Sequence, residues 1–266
     1  MDQNQNYLDI NRKTWNDKVA VHLNSSFYRQ QDFLNGKSTL NAIELELLGD
    51  VKDKRILHLQ CHFGQDTISL ARMGATTVGV DFSDKAIEVA TSLAQNLNAD
   101  ATFICSDIYD LPNKMYQEFD IVFTSYGTIG WLPDLDRWAK VISHFLKPGG
   151  QFVFAEFHPV IWMFDDDFTK VTYDYFKSDP IVEESMGTYA NPEADIRNNS
   201  ISWNHGLSEV FTSLIENGFS IEKFREYDYS PYDCFSHTTE FEFGKFRISH
   251  LGDYIPMVYS LLAVKK

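Results

Sequence analysis

The stretch Arg55-Ile56-Leu57-His58-Leu59-Gln60-Cys61-His62-Phe63-Gly64 decides how the rest of the chain is read. Ile56, Leu57 and Leu59 form a short apolar run after the charged Lys52-Asp53-Lys54-Arg55, the pattern of a buried strand. Gly64 closes the run, and a helix signal follows at once. Asp66 or Thr67 can cap Ile68-Ser69-Leu70-Ala71-Arg72-Met73, with Gly74 as the stop. Strand, tight turn and helix N-terminus make the first βα unit of a nucleotide-binding sheet. A second strand, Thr76-Thr77-Val78-Gly79-Val80, runs into Asp81 roughly twenty residues after the turn, where such folds place an acid on ribose hydroxyls.

Further strands and helices alternate outward from this unit. Ser83 and Asp84 open a helix that runs to about Asn98, and a third strand, Ala101 to Cys105, leads into Ser106-Asp107-Ile108. Phe119 to Ser125 is the fourth strand, followed by Tyr126-Gly127. A helix from about Pro133-Asp134 to Leu146 carries the stripe Leu135, Trp138, Ile142, Phe145 and stops at Lys147-Pro148-Gly149-Gly150. Strand five is Gln151 to Phe157. After an aromatic and acidic segment, Leu207, Val210, Phe211, Leu214 and Ile215 mark another amphipathic helix, ended by Asn217-Gly218. Phe219 to Phe224 alternates as strand six, and the apolar run Val258 to Ala263 suits a last strand.

The opening stretch resembles motif I of the class I S-adenosylmethionine-dependent methyltransferases, usually a strand ending in an acid and then Gly-x-Gly-x-Gly. His58 stands at the acid position, Gln60 and His62 at the first two glycines, and Gly64 matches. The ordered later motifs, above all the helix, Lys-Pro-Gly-Gly turn and strand five, extend the resemblance over Lys52 to Phe157. It points to the small-molecule, quinone-methyltransferase-like branch.

The resemblance implies an α/β fold: a Rossmann-like, doubly wound, seven-stranded sheet whose last strand is antiparallel beside strand six. One methyltransferase domain, 1–266, is expected, with an N-terminal helical cap over 1–50, a cofactor-binding core over 51–157, an inserted lid over 158–203 and the rest of the core over 204–266. It implies that S-adenosylmethionine is held by the turn residues His58, Gln60, Cys61, His62 and Gly64, with Asp81 and Phe82 at the ribose. Ser106, Asp107 and Ile108 would flank the adenine, and Ser125 would lie at the end of strand four.

The cap reads as helical from about Tyr7 to Leu48, with a break near Asn35-Gly36; Tyr7, Asn11, Trp15 and Val19 share one face. Phe27 and Tyr28 between its helices can reach a bound cofactor or serve as packing aromatics. The segment His158 to Trp203 holds Trp162, Phe164, Phe168 and Tyr189, and its Thr-Tyr alternation around Val171 to Tyr175 suggests a short hairpin. It leaves the sheet beside the expected methyl group, as a lid over the acceptor would.

A formal net charge of −15 argues against a nucleic-acid partner, which calls for a basic face. The polar start Met1-Asp2-Gln3-Asn4-Gln5-Asn6 lacks the charged and apolar regions of a secretory signal, and no apolar run reaches membrane-spanning length. Three widely spaced cysteines, Cys61, Cys105 and Cys234, support neither a disulfide framework nor a Cys-x-x-Cys metal site. A cytoplasmic monomer or homodimer acting on a small molecule is the expectation.

Methyl transfer from a sulfonium is an in-line displacement that needs positioning and exclusion of water, and a general base only when the acceptor is protonated. His158, just after strand five, and His205, at the start of the late helix, are the base candidates; Tyr126 and Glu156 are weaker ones. His58 and His62 sit four apart on a strand and turn, which does not put both rings on one face, so no metal is expected. Two other classes compete. An NAD(P)-dependent oxidoreductase would share the ribose acid but want Gly-x-Gly-x-x-Gly at the turn. A non-catalytic binder of S-adenosylmethionine or S-adenosylhomocysteine would account for the missing glycines.

Overall fold

The computed structural model describes residues 6–266; the polar start read over 1–5 lies outside the described residues. The chain order is α1 Tyr7–Asn24, α2 Gln30–Leu34, α3 Ala42–Leu48, β1 Arg55–Leu59, α4 Gln65–Arg72, β2 Thr76–Asp81, α5 Asp84–Leu97, β3 Ala101–Cys105 and β4 Phe119–Ser125. It continues with α6 Leu135–Phe145, β5 Leu146–Phe157, β6 Ile181–Met186, β7 Arg197–Ser202, α7 Leu207–Glu216, β8 Phe219–Tyr227, β9 Thr238–Glu242, β10 Lys245–Ile248 and β11 Val258–Lys265.

Seven strands form one sheet in the order β3-β2-β1-β4-β5-β11-β8. The first five are parallel, and β11 runs antiparallel between β5 and β8, as expected for the last strand. Period-two alternation gives each strand one residue for either face. Leu57, Val122, Phe154 and Tyr259 pack under Trp138, Ile142 and Phe145 of α6 and Val210 and Leu214 of α7. Ile56, Ile121, Phe123 and Val153 turn to the other face, against Leu40, Leu47 and Leu48 of the cap and Leu70 of α4. Strand order reverses between β1 and β4, so the connections leaving these two strands diverge and open a crevice at their carboxyl ends.

Three local expectations change. α4 is not capped by Asp66 or Thr67: Gly64, in the left-handed region at φ 79°, occupies the cap position, and Asp66 instead accepts a hydrogen bond from Thr39 Oγ1. The cap has a second break, since residues 25–29 separate α1 from α2. The hairpin of the 158–203 segment is β6–β7, not Val171 to Tyr175, where only a single bridge joins Phe164 to Val171. A further hairpin, β9–β10, falls in a stretch with no regular element foreseen.

Cap and insertion are tied together by mimicry of a strand. Asn11 Nδ2 donates to Ile201 O at 2.8 Å, and Ile201 N donates to Asn11 Oδ1 at 2.9 Å, so one amide side chain satisfies the edge of β7. Thr14 Oγ1 donates to Asn199 O at 2.6 Å, and Tyr7 meets Trp203 edge-on.

Beside the first turn, Phe103 fills the space that Gly64 and Gly79 leave. A Cβ on Gly79 would meet the Phe103 ring at 2.6 Å and Cys61 Sγ at 2.9 Å. Gly79→Ala is therefore expected to destabilise the protein by about 1–3 kcal/mol in urea unfolding. An unchanged midpoint would mean that Phe103 does not pack there.

Candidate active site

The turn after β1 achieves with ordinary residues what glycine does more easily. Gln60 and His62 both take positive φ, 56° and 49°, before Gly64. Asp81 at the end of β2 braces the turn: its Oδ2 accepts from His62 N at 2.8 Å and its Oδ1 from Ser83 N at 2.9 Å. Burial raises its pKa to about 6, against those amide hydrogen bonds. Ser83 in turn caps α5 by accepting from Ala86 N at 3.1 Å.

The side chains that replace the glycines are held by neighbours. Gln60 Nε2 donates to Thr128 O at 2.8 Å. The His62 and His22 rings share a hydrogen bond of 3.0 Å, with Tyr28 stacked on His22. Burial, then the nearby Lys18 charge, pushes the His22 pKa down to about 3; burial, then His22 and Lys18, drives His62 well below the usual value. His58 pairs with Thr67 Oγ1 at 2.8 Å, and burial lowers it to about 3. All three are neutral imidazoles at neutral pH.

Four buried polar atoms around this turn have no hydrogen-bond partner among the described residues: Trp15 Nε1, His22 Nε2, Gln60 Oε1 and His62 Nδ1. Buried polar groups are ordinarily satisfied, so such a concentration fits a site that receives a polar ligand. These atoms offer both donors and an acceptor, as a zwitterionic amino-acid end requires, and Asp81 retains free lone pairs for hydroxyls.

The turn opens into a cavity of about 1040 Å³. Its lining includes Tyr28, His58, Gln60, Cys61, His62, Gly64, Asp81, Phe82 and Ser125, so these sequence-predicted residues converge on one space. Trp162, Phe164 and Tyr189 of the insertion line the same space, with Tyr232, Cys234 and Phe235 from the stretch after β8. Tyr126 lines it too and donates from its hydroxyl to Glu44 Oε2 at 2.8 Å. Glu44 is buried on the apolar face of α3, where desolvation raises its pKa to about 7.

Other candidates fall elsewhere. Ser106, Asp107 and Ile108 do not line the cavity; Asp107 accepts from Tyr109 N and caps the short 3-10 turn Ile108–Asn113. His158 also lies outside the lining: its Nδ1 accepts from Val160 N and its Nε2 lies 2.9 Å from Glu226. His205 is held at both ring nitrogens, by Glu209 at 3.0 Å and Leu132 O at 2.8 Å. Its imidazole fastens α7 to the loop after β4. Glu156 lines the cavity, but it accepts from the backbone of Gly127, Thr128, Ile129 and Phe157 and from Thr128 Oγ1. That carboxylate braces the loop after β4.

Sequence reasoning missed Lys18, Glu44, Trp131 and Tyr232. A signal existed for Glu44, an acid among Leu40, Ile43, Leu47 and Leu48 at helical spacing with Asn41 three residues earlier as a capping partner. Nothing local marked the others.

Residues 50–206 match the sequence model of the methyltransferase domain family. The chain belongs to that family. Among curated relatives, an O-methyltransferase of ubiquinone biosynthesis from Coxiella burnetii is 33% identical over 119 residues, 44% of this chain and 50% of that protein. An uncharacterised methyltransferase of Synechocystis is 34% identical over 134 residues, 49% of this chain and 60% of that protein. The match thus spans about half the length of the curated relatives. A crystal structure of an S-adenosylmethionine-dependent methyltransferase from Mesorhizobium loti aligns with a TM-score of 0.54 at 19% identity, covering 87% of this chain and 100% of that one. This likeness carries the fold, and the family match sets aside the oxidoreductase alternative.

The Glu44 carboxyl titrates at about 7 in the folded protein, against 4.5 as its ordinary value. It favours the folded state at acid pH and loses that contribution as pH rises from 4.5 through 7. Wild-type unfolding free energy relative to Glu44→Gln, which keeps the capping geometry, is expected to fall on the order of 3 kcal/mol between about pH 4 and about pH 8. A difference independent of pH would show that Glu44 is solvated.

Proposed function

We propose that the chain transfers a methyl group from S-adenosylmethionine to a small-molecule acceptor. The observation that carries this reading is the cavity at the sheet's switch point, where Asp81, Gln60 and His62 line the same space as an aromatic wall. When bound, S-adenosylmethionine supplies an electrophilic methyl on a sulfonium.

The chain's own residues do the rest. Asp81 receives the ribose hydroxyls on the lone pairs that its amide partners leave free, and Phe82 flanks it. Gln60, His62 and Ser125 border the amino-acid end. Tyr126, Phe157, Trp162, Tyr232 and Phe235 offer a flat, apolar acceptor a wall of rings, with Tyr126 and Phe157 centroids 5.6 Å apart and Phe157 and Phe235 4.9 Å apart. The insertion over 158–203 acts as a lid, joined by the β9–β10 stretch. Tyr126 and Glu44 handle the acceptor's proton: the phenol takes it while passing its own to the carboxylate, which is ionised above about pH 7.

Incubation with methyl-labelled S-adenosylmethionine and a cell extract tests the reading. Label is expected in the small-molecule fraction, with S-adenosylhomocysteine formed in equal amount. Label confined to RNA or protein, or no turnover despite tight cofactor binding, would overturn it; the second result would favour the non-catalytic binder. For a hydroxyl acceptor, Tyr126→Phe should lower kcat by about 100-fold with S-adenosylhomocysteine affinity unchanged. An equal loss in affinity would move Tyr126 to the cofactor.

A further inference from the structure

Among the described residues the Lys18 ammonium has no counter-charge. Arg29 and Lys37, which line the same cavity, both pair with Asp32. The Lys18 side chain makes neither an ion pair nor a hydrogen bond to any of the described residues. Its ammonium lies 5.0 Å from the centre of the Trp15 ring and 5.8 Å from that of Trp131. Burial lowers its pKa to about 8, which still leaves it mainly charged at neutral pH. The two indole faces supply cation–π attraction, and neither supplies an opposite charge.

Unpartnered polar atoms on two other residues that line the same cavity complete a pattern. Trp15 also has a buried Nε1–H with no acceptor. An ammonium and an indole N–H without acceptors form an anion-receiving pair. Gln60 has its amide fixed by the bond from Nε2 to Thr128 O, which leaves Oε1 buried and unpartnered. That oxygen is an acceptor for a cation. A ligand with a carboxylate and an ammonium on one carbon would answer both demands. His58, at the place of the acid in motif I, is neutral, with Nδ1 engaged by Thr67 Oγ1, so it offers an ammonium no negative charge.

Resting on the methyltransferase reading, we infer that Lys18 and Trp15 Nε1 receive the carboxylate of the cofactor's amino-acid end, and Gln60 Oε1 its ammonium. The arrangement supplies from α1 and a glutamine side chain the contacts that a turn with two fewer glycines lacks. Lys18 then has its counter-charge only in the loaded protein.

Calorimetric titration with two ligands tests this. S-adenosylhomocysteine carries the amino-acid end; 5′-methylthioadenosine keeps the adenosine and thioether and lacks it. Lys18→Met is expected to weaken S-adenosylhomocysteine by about 10- to 100-fold and to leave 5′-methylthioadenosine within about twofold. Lys18→Arg, which keeps the charge, should retain most of the affinity. Retained methylthioadenosine binding shows that each variant is folded. Unchanged S-adenosylhomocysteine affinity in Lys18→Met, or an equal loss for both ligands, would overturn the assignment while leaving the methyltransferase reading intact. Failure of the wild-type protein to bind either ligand would sink both.

Discussion

The bridging carboxylate of Asp81 is the interaction on which the site depends. One oxygen holds the His62 amide and the other the Ser83 amide, so the turn after β1 and the start of α5 share one anchor. Without that brace, two non-glycine residues in the left-handed region, Gln60 and His62, would each carry strain of order 1–3 kcal/mol with little to offset it. The arrangement has a cost of its own. Burial raises the Asp81 pKa to about 6, so the charge that makes the amide bonds strong is itself partly opposed. The turn keeps its shape because several modest terms agree: amide bonds, the Gln60–Thr128 contact and the His62–His22 pair.

Around that anchor the cavity is assembled from segments far apart in sequence. The cap contributes Trp15, Lys18 and Tyr28; the insertion contributes Trp162 and Tyr189; the stretch after β8 contributes Tyr232 and Phe235. A hydroxyl contact joins Tyr28 to Tyr189, and Asn41 Nδ2 donates to Tyr232 at 2.8 Å, so the cap is cross-linked to both added segments. The parallel strands beneath supply position, and the added segments supply shape. Acceptor choice on such a fold is therefore a property of the additions.

Much of the sheet was readable because its signal is local. Alternation in Phe119–Ser125 and the stripe Leu135, Trp138, Ile142 and Phe145 both determine structure within a few residues, whereas β5 already starts at Leu146 and takes in Pro148-Gly149-Gly150. The altered turn was readable for the same reason. Pairing across distance was not. β6 and β7 carry many exposed polar side chains, so periodicity did not mark them, whereas Val171 to Tyr175 alternates and pairs through a single bridge. His158 and His205 drew attention as titratable residues near strand and helix ends, yet Glu226 and Leu132, distant in sequence, engage their rings. Lys18 carried no local signal, because Trp131, whose ring lies beside its ammonium, is over a hundred positions on.

If Asp81 anchors the turn and receives the cofactor together, both roles must be visible in one state. A crystal structure of the complex with S-adenosylhomocysteine measures this directly. The account predicts both ribose hydroxyls within hydrogen-bond distance of Asp81 while His62 N and Ser83 N keep their bonds to it. Ribose bound elsewhere, or an Asp81 carboxylate that must release His62 to reach the ribose, would contradict it.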